Sequence, residues 1–317
     1  MAVRCLLIIN TRTLSTQNER TTTIRVIPFF CCGAKLPILT AIAGGIVVRF
    51  GYSSADIITY SIYLLGIVVA ILSILFMRNT FMRGETPPFI MELPPYRKPQ
   101  FKSLMIHMWD KLKHFVKKAF TVILASTIVI WFISHFRFSW KFLPDERINE
   151  SILANIGMLI QPIFTPLGFG SQLNNWGWVF VVSAAMGLIA KENVIAAFGI
   201  LAACIVGFVG DEALGGIDAV VQMISATGIT PQALLAFIAF NMLTIPCFAA
   251  VATAKAELAD KKSFVTTLLF WITTSYFISM MIYLIGSWWW TSFIFAALFI
   301  VVVLVIIYIN EQDKKQH

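Results

Sequence analysis

Three short stretches of this 317-residue chain set thiols, amides, a carboxylate and ammonium groups into otherwise apolar sequence. The first is Pro28-Phe29-Phe30-Cys31-Cys32-Gly33-Ala34-Lys35-Leu36-Pro37. Proline removes amide donors and glycine permits close backbone approach, so carbonyls and thiols can turn towards a pore. A kinked helix whose cysteines pack as small hydrophobes accounts for the same residues without a ligand. The second stretch, Asn241-Met242-Leu243-Thr244-Ile245-Pro246-Cys247, repeats the Pro-Cys pairing. Pro246 frees the Met242 carbonyl, and Asn241, Thr244 and Cys247 recur at spacing three, which on a helix is one face. Amide, hydroxyl and thiol together make a mixed hard and soft ligand set for a divalent transition metal. Close helix packing through small residues, with Asn or Thr bonding across, is the alternative.

The third stretch, Ala190-Lys191-Glu192-Asn193, sits inside a long apolar run. Ionised groups at membrane depth cost about 2.5–3.5 kcal/mol each on insertion scales. Lys191 and Glu192 are adjacent and point to different faces, so a polar cavity, or a break between two half-helices, explains them better than a local ion pair. Two Pro-Cys breaks in separate halves of a chain are the sequence pointer to a transport site between repeats.

The elements that carry these stretches are apolar. Hydrophobic residues make up 58% of the chain and charged residues 13%, with a mean hydropathy of +0.82, too few charges to cover a soluble globule of this length. The expected fold class is all-α, a polytopic integral membrane protein. Apolar runs at 56–77, 119–136, 177–206, 230–253, 263–286 and 288–309 read as spans, and 36–50 and 152–170 as short, broken or re-entrant ones, about eight in all. Trp288, Trp289 and Trp290 mark an interface.

The net charge of +8 sits beside apolar spans, which fits positive-inside topology and not nucleic-acid binding. Residues 78–118 carry nine Lys or Arg against three acids, so this loop, the 255–262 turn and the C-terminal tail are expected on the cytoplasmic side. The 207–229 stretch has no Lys or Arg and carries Asp211, Glu212 and Asp218, so it is expected to be an outside loop; that parity requires 152–170 to cross. Within the basic region, 101–118 has the spacing of an amphipathic interfacial helix. Cys5, Cys31, Cys32, Cys204 and Cys247 form no CxxC pair and are expected to be free thiols. No HExxH, GxSxG or GxxxxGK[ST] string occurs, so an enzyme is not expected. Cys5 to Ile9 is too short for a signal peptide's apolar region, and the chain opens without a recognisable first element, as a fragment would.

Asn10-Thr11-Arg12-Thr13-Leu14, Pro28 to Pro37, Phe89-Ile90-Met91-Glu92-Leu93-Pro94-Pro95-Tyr96-Arg97, Lys191-Glu192 and Pro246-Cys247 resemble, in order, the membrane region of the bacterial ferrous iron transport protein B (FeoB) family. The resemblance implies two Gate-type regions around a core, with Cys32 and Cys247 as the membrane cysteines that handle Fe(II) and Cys31 in a packing role. Asn241, Thr244 and Glu192 join them as expected metal-path residues. The expected division is a polar 1–27, a first Gate end and core at 28–100, the interfacial helix at 101–118, a second Gate region at 119–255, and C-terminal helices and tail at 256–317. The family couples transport to an N-terminal GTPase domain, absent from this sequence, so GTP is expected to act only through a missing or separate domain. No permanently bound cofactor is expected. Expected partners are the lipid bilayer, Fe(II), a separate GTPase polypeptide, small accessory Feo proteins and further copies of the chain, in a bacterial cytoplasmic (inner) membrane. A carrier of a nucleoside-like solute, and a non-transporting fragment or assembly subunit, are the alternatives.

Overall fold

A computed structural model describes residues 7–14, 16–52, 54–80, 100–139, 141–143, 150–189, 191, 194–195, 198–199, 216–258, 260–301 and 304. Helices dominate, and the described residues contain no strand beyond an isolated bridge between Phe136 and Phe142.

Helix α1 (Gln17–Val26) starts at Thr16, whose hydroxyl accepts the Glu19 N–H at 3.3 Å. It runs into a 3-10 turn at Ile27–Phe29, where Pro28 ends regular pairing, and then into the open segment 30–35. Helix α2 (Leu36–Phe50) carries Pro37 in its first turn, where no amide donor is needed, and stops at Gly51 in the left-handed region, φ 72°. Helix α3 (Ala55–Thr80) is about 39 Å long, enough to cross a hydrocarbon core of about 30 Å.

Helix α4 (Phe101–His135) is continuous over 35 residues. The sequence reading divides this stretch into an interfacial helix and a span; no Gly or Pro occurs between Phe101 and His135, so nothing interrupts the hydrogen-bond ladder at the division. Helix α5 (Ile152–Ile160) passes through 3-10 turns at Gln161–Leu167 and Ser171–Trp176 into α6 (Gly177–Ile189), and the two helices pack through Gly157 against Trp178 and Val182.

Within the stretch expected as an outside loop, 207–229, the described part is helical: Gly216–Thr227 is helix α7. Ala219, Val220, Met223 and Ile224 are buried against α2. Ile217, Val220, Val221 and Ile224 hold the helical spacing i, i+3, i+4, i+7, a signal that the acidic content masked. The contact is close: a Cβ on Gly45 would lie 2.5 Å from Val220 Cγ1.

Helices α8 (Pro231–Leu243), α9 (Phe248–Glu257), α10 (Lys261–Ser287) and α11 (Thr291–Val301) complete the described fold. Among the described residues only α3 and α10 are long and apolar enough to cross a membrane. The count of about eight membrane segments, broken or re-entrant ones included, is therefore not confirmed. The expected 230–253 run is divided at 244–247, and in the 177–206 run α6 is described as far as Ile189 and Lys191 lies in a turn. Helix α10 binds the pieces together: Ser279 Oγ donates to Ala236 O (2.6 Å), Tyr276 OH to Ile163 O (2.8 Å) and Trp271 Nε1 to Arg25 O (2.7 Å).

Apolar burial forms two clusters. One centres on Phe169, Phe180, Phe198 and Phe237, whose rings pack at centroid distances of 5.3–5.5 Å. The other gathers Ile24, Ile27, Phe29, Val69, Leu243, Cys247, Ala250 and Trp271. Helix α8 contributes to both, so its C-terminal end lies at their junction.

The N-terminal segment is clamped to the end of α9. Arg12 donates to both Glu257 oxygens (2.6–3.0 Å), and Arg20 adds a further bond. The Glu257 side chain is 2% exposed. A carboxylate is disfavoured at a helix C-terminus, so the arginines must supply its compensation. The Arg12 hydrogen bonds, with Arg20 adding to them, hold the Glu257 carboxyl below the usual carboxylate range. A depressed acid contributes stability above its unfolded pKa and loses it as pH falls through the folded value. Limited proteolysis of the 7–20 segment is thus expected to be slow at neutral pH and to accelerate only on strong acidification. Glu257→Gln should be cleaved quickly at every pH; equal protection of variant and native chain at pH 7 would contradict the clamp.

Candidate functional site

The break after α8 is the centre of the site. Thr244 turns to extended geometry (ψ 175°) while its N–H still reaches Phe240 O at 2.9 Å, and Pro246 offers no N–H to Met242. The Met242 carbonyl is freed, as the sequence predicts. Its donor is Lys35 Nζ, which also donates to Pro28 O at 2.9 Å. One ammonium thereby braces the Pro28–Pro37 break against the Pro246 break, 207 residues apart in sequence.

A second ammonium acts one residue earlier: Lys191 Nζ donates to Asn241 O at 2.8 Å. Lys35 is 0% and Lys191 2% exposed. The negative end of the α8 dipole and its unpaired carbonyls make this a favourable place for cations. Lys191, the one described residue of the Ala190–Asn193 stretch, thus has a physical partner at the end of α8.

Asn241 is fully buried; its Nδ2 donates to Phe237 O at 3.0 Å, and its Oδ1 has no hydrogen-bond partner. Gly187 of α6 faces that oxygen, and a Cβ there would lie 2.9 Å from it. Thr244 and Cys247 are also buried, and Cys247 is the N-cap residue of α9 without a side-chain capping bond. Asn241, Thr244 and Cys247 therefore lie on one buried segment, but not on one helical face, because 244–247 is unwound. Cys247 shares its apolar cluster with Ile27 and Phe29 of the first break.

Cys32 is half-buried, and its carbonyl accepts the Lys35 N–H at 2.9 Å, so it stands one turn before the bracing lysine. Cys31 Sγ approaches Cys32 O at 3.6 Å. Glu192 lies outside the described residues, as do Cys5 and Cys204 and the Phe89–Arg97 motif. Among the described residues no three His, Cys, Asp or Glu side chains are gathered as a metal cluster.

Close backbone approach at the first break is made by Gly66 of α3, whose Cβ would stand 2.6 Å from Phe29 O, and not by Gly33, which has open space around it. The sequence reading did not identify Lys35 and Lys191 as donors to the α8 carbonyls. Their one legible signal is a lysine inside an apolar run, which shows that a partner is needed but not where it lies.

Residues 59–111 match the family described as Ferrous iron transport protein B C terminus, and 116–261 the family described as Nucleoside recognition. A Fe(2+) transporter FeoB of Campylobacter jejuni is 35% identical over 269 residues, 83% of this chain and 41% of the relative. That of Salmonella typhimurium is 36% identical over 230 residues, 69% of this chain and 28% of the relative. That of Escherichia coli K12 is 39% identical over 188 residues, 59% of this chain and 23% of the relative. The chain spans well under half the length of these relatives. No solved structure matches it. These regional matches and relatives, carried by a helical chain whose two breaks meet at one buried junction, place the chain in the ferrous iron transport protein B (FeoB) family.

Proposed function

We propose that this chain is the membrane permease portion of a ferrous iron uptake transporter, moving Fe(II) across the bacterial cytoplasmic membrane past its two Pro-Cys breaks. The observation that carries the reading is the junction itself: Lys35 bonds carbonyls of both breaks. Unwound backbone at membrane depth is tolerated where it is buried in protein or lines a polar cavity, and transporters place such breaks at their substrate sites. The relatives named as Fe(2+) transporters supply the cargo.

In this reading Cys32 and Cys247 offer soft sulfur, while Asn241, Thr244 and Glu192 offer oxygen, a mixed set for a borderline cation. The shorter helices complete the crossings as paired half-helices, with the basic 78–118 region and the C-terminus cytoplasmic. GTP hydrolysis acts through a domain or polypeptide beyond this sequence, and accessory Feo proteins and further copies of the chain complete the assembly. The chain itself performs no covalent chemistry.

The test is uptake of radiolabelled Fe(II) under reducing conditions, in cells lacking other ferrous transport and supplied with the GTPase part. Cys32→Ser combined with Cys247→Ser is expected to cut the initial rate at least tenfold. Unchanged uptake would remove the thiols from the path. The match described as nucleoside recognition gives the second reading, a nucleoside-like cargo. Flux suppressed by excess nucleoside but not by divalent metal would favour it.

A further inference from the structure

The end of α8 concentrates oxygen acceptors and meets them with ammonium groups. Pro28 O and Met242 O share Lys35 Nζ, Asn241 O holds Lys191 Nζ, and the fully buried Asn241 Oδ1 has no partner. Three carbonyls and an amide oxygen are an all-oxygen set; a buried acceptor without a donor is a deficit of positive charge at that point. Gly187 lies against Oδ1 without a side chain of its own; a Cβ there would stand 2.9 Å from Oδ1 and 2.9 Å from Val194 Cγ2.

We propose that Pro28 O, Asn241 O, Met242 O and Asn241 Oδ1 form a cation site at the junction of the two breaks, held in this structure by the ammonium groups of Lys35 and Lys191 and taken by a divalent ion only in exchange for them. The proposal rests on the transport reading for the purpose of the ion, not for its binding. A divalent ion a few ångströms from two ammonium groups in a low-dielectric interior is strongly repelled, so the two occupancies exclude each other. Lys35 bonds both breaks, so the exchange also releases one break from the other. The lysines then act as tethered cations that keep the path filled and braced when no ion is present.

Manganese(II) suits an oxygen site and reports its own binding, because the paramagnetic resonance signal of the free aqua ion falls as it is bound. In the purified full chain, Lys35→Gln removes the charge and leaves an amide donor for the carbonyls. It is expected to bind Mn(II) at least tenfold more tightly than the native chain, whereas Lys35→Arg, still a cation, should bind as weakly as native. Adding Asn241→Leu to Lys35→Gln should abolish the gain. An unchanged affinity in Lys35→Gln, or a gain that survives Asn241→Leu, overturns the site. Should Lys35→Gln not yield a monodisperse protein, Lys191→Gln releases Asn241 O from the opposite side and carries the same expectation and the same refutation. Tight Mn(II) binding in these variants together with Fe(II) uptake that fails every test would leave this site standing and remove the ferrous cargo. Uptake that passes with no Mn(II) gain would do the reverse.

Discussion

Lys35→Met is expected to lower the thermal unfolding midpoint of the detergent-solubilised chain and to expose Cys247 to thiol reagents well below that midpoint. The substitution keeps an unbranched apolar stem and deletes the ammonium, so Pro28 O and Met242 O both lose a donor in a fully buried setting. A buried acceptor stripped of its partner costs roughly 1–3 kcal/mol, and Met242 O is the one stripped here. Part of that is regained because no ammonium has to be taken out of water. The carbonyls prevail, since proline denies Met242 O any helical donor, and the net loss is about 1–3 kcal/mol. Lys35→Arg should lose less, because its planar fork can still donate to two carbonyls. The thiol readout separates this effect from general destabilisation. Cys247 is the N-cap residue of the helix after the break and is buried in the same apolar cluster as Phe29, so its labelling reports whether the two breaks remain joined. A Lys35→Met chain with native melting and native Cys247 labelling would remove the brace.

Gly66→Ala is expected to act on the same junction from the opposite side. The added methyl would sit 2.6 Å from Phe29 O, a backbone atom that no rotamer change can move aside. Helix α3 must shift away from the first break or the break must distort, and over-packing of this kind costs about 1–3 kcal/mol. The control lies in the break itself: a Cβ on Gly33 meets nothing within 4 Å, so Gly33→Ala should stay within about 0.5 kcal/mol of native. Thermal melts of both variants decide the matter, and equal midpoints would show that α3 does not pack on Phe29 as described.

Much of this was legible in residue types. Pro246 cannot donate to Met242, whatever the fold, so a freed carbonyl at 242 follows from covalent structure alone. An apolar run interrupted by Lys191 and Glu192 had to break or find partners, because a buried ammonium without acceptors is not viable. Helix α7 is legible too in its i, i+3, i+4, i+7 spacing, although the acidic, Lys-free composition of 207–229 points to a loop. Asn241, Thr244 and Cys247 do not share a helical face, because helical periodicity stops at Leu243, ahead of Pro246, and resumes only at Phe248.

By itself, then, the sequence determined that the chain is apolar and helical, that it breaks at its Pro-Cys stretches, and that its buried ammonium groups require acceptors. Each of these follows from a local property: a missing N–H, a desolvated charge, a periodic stripe. Which acceptor each lysine takes was decided only by tertiary structure. Lys35 reaches Met242 and Lys191 reaches Asn241 across 207 and 50 residues, and neither pairing leaves a trace in local spacing, since any freed carbonyl satisfies an ammonium equally well. Packing of α2, α3, α6 and α8 around two apolar clusters selected among those carbonyls, and that choice turned two separate breaks into one site.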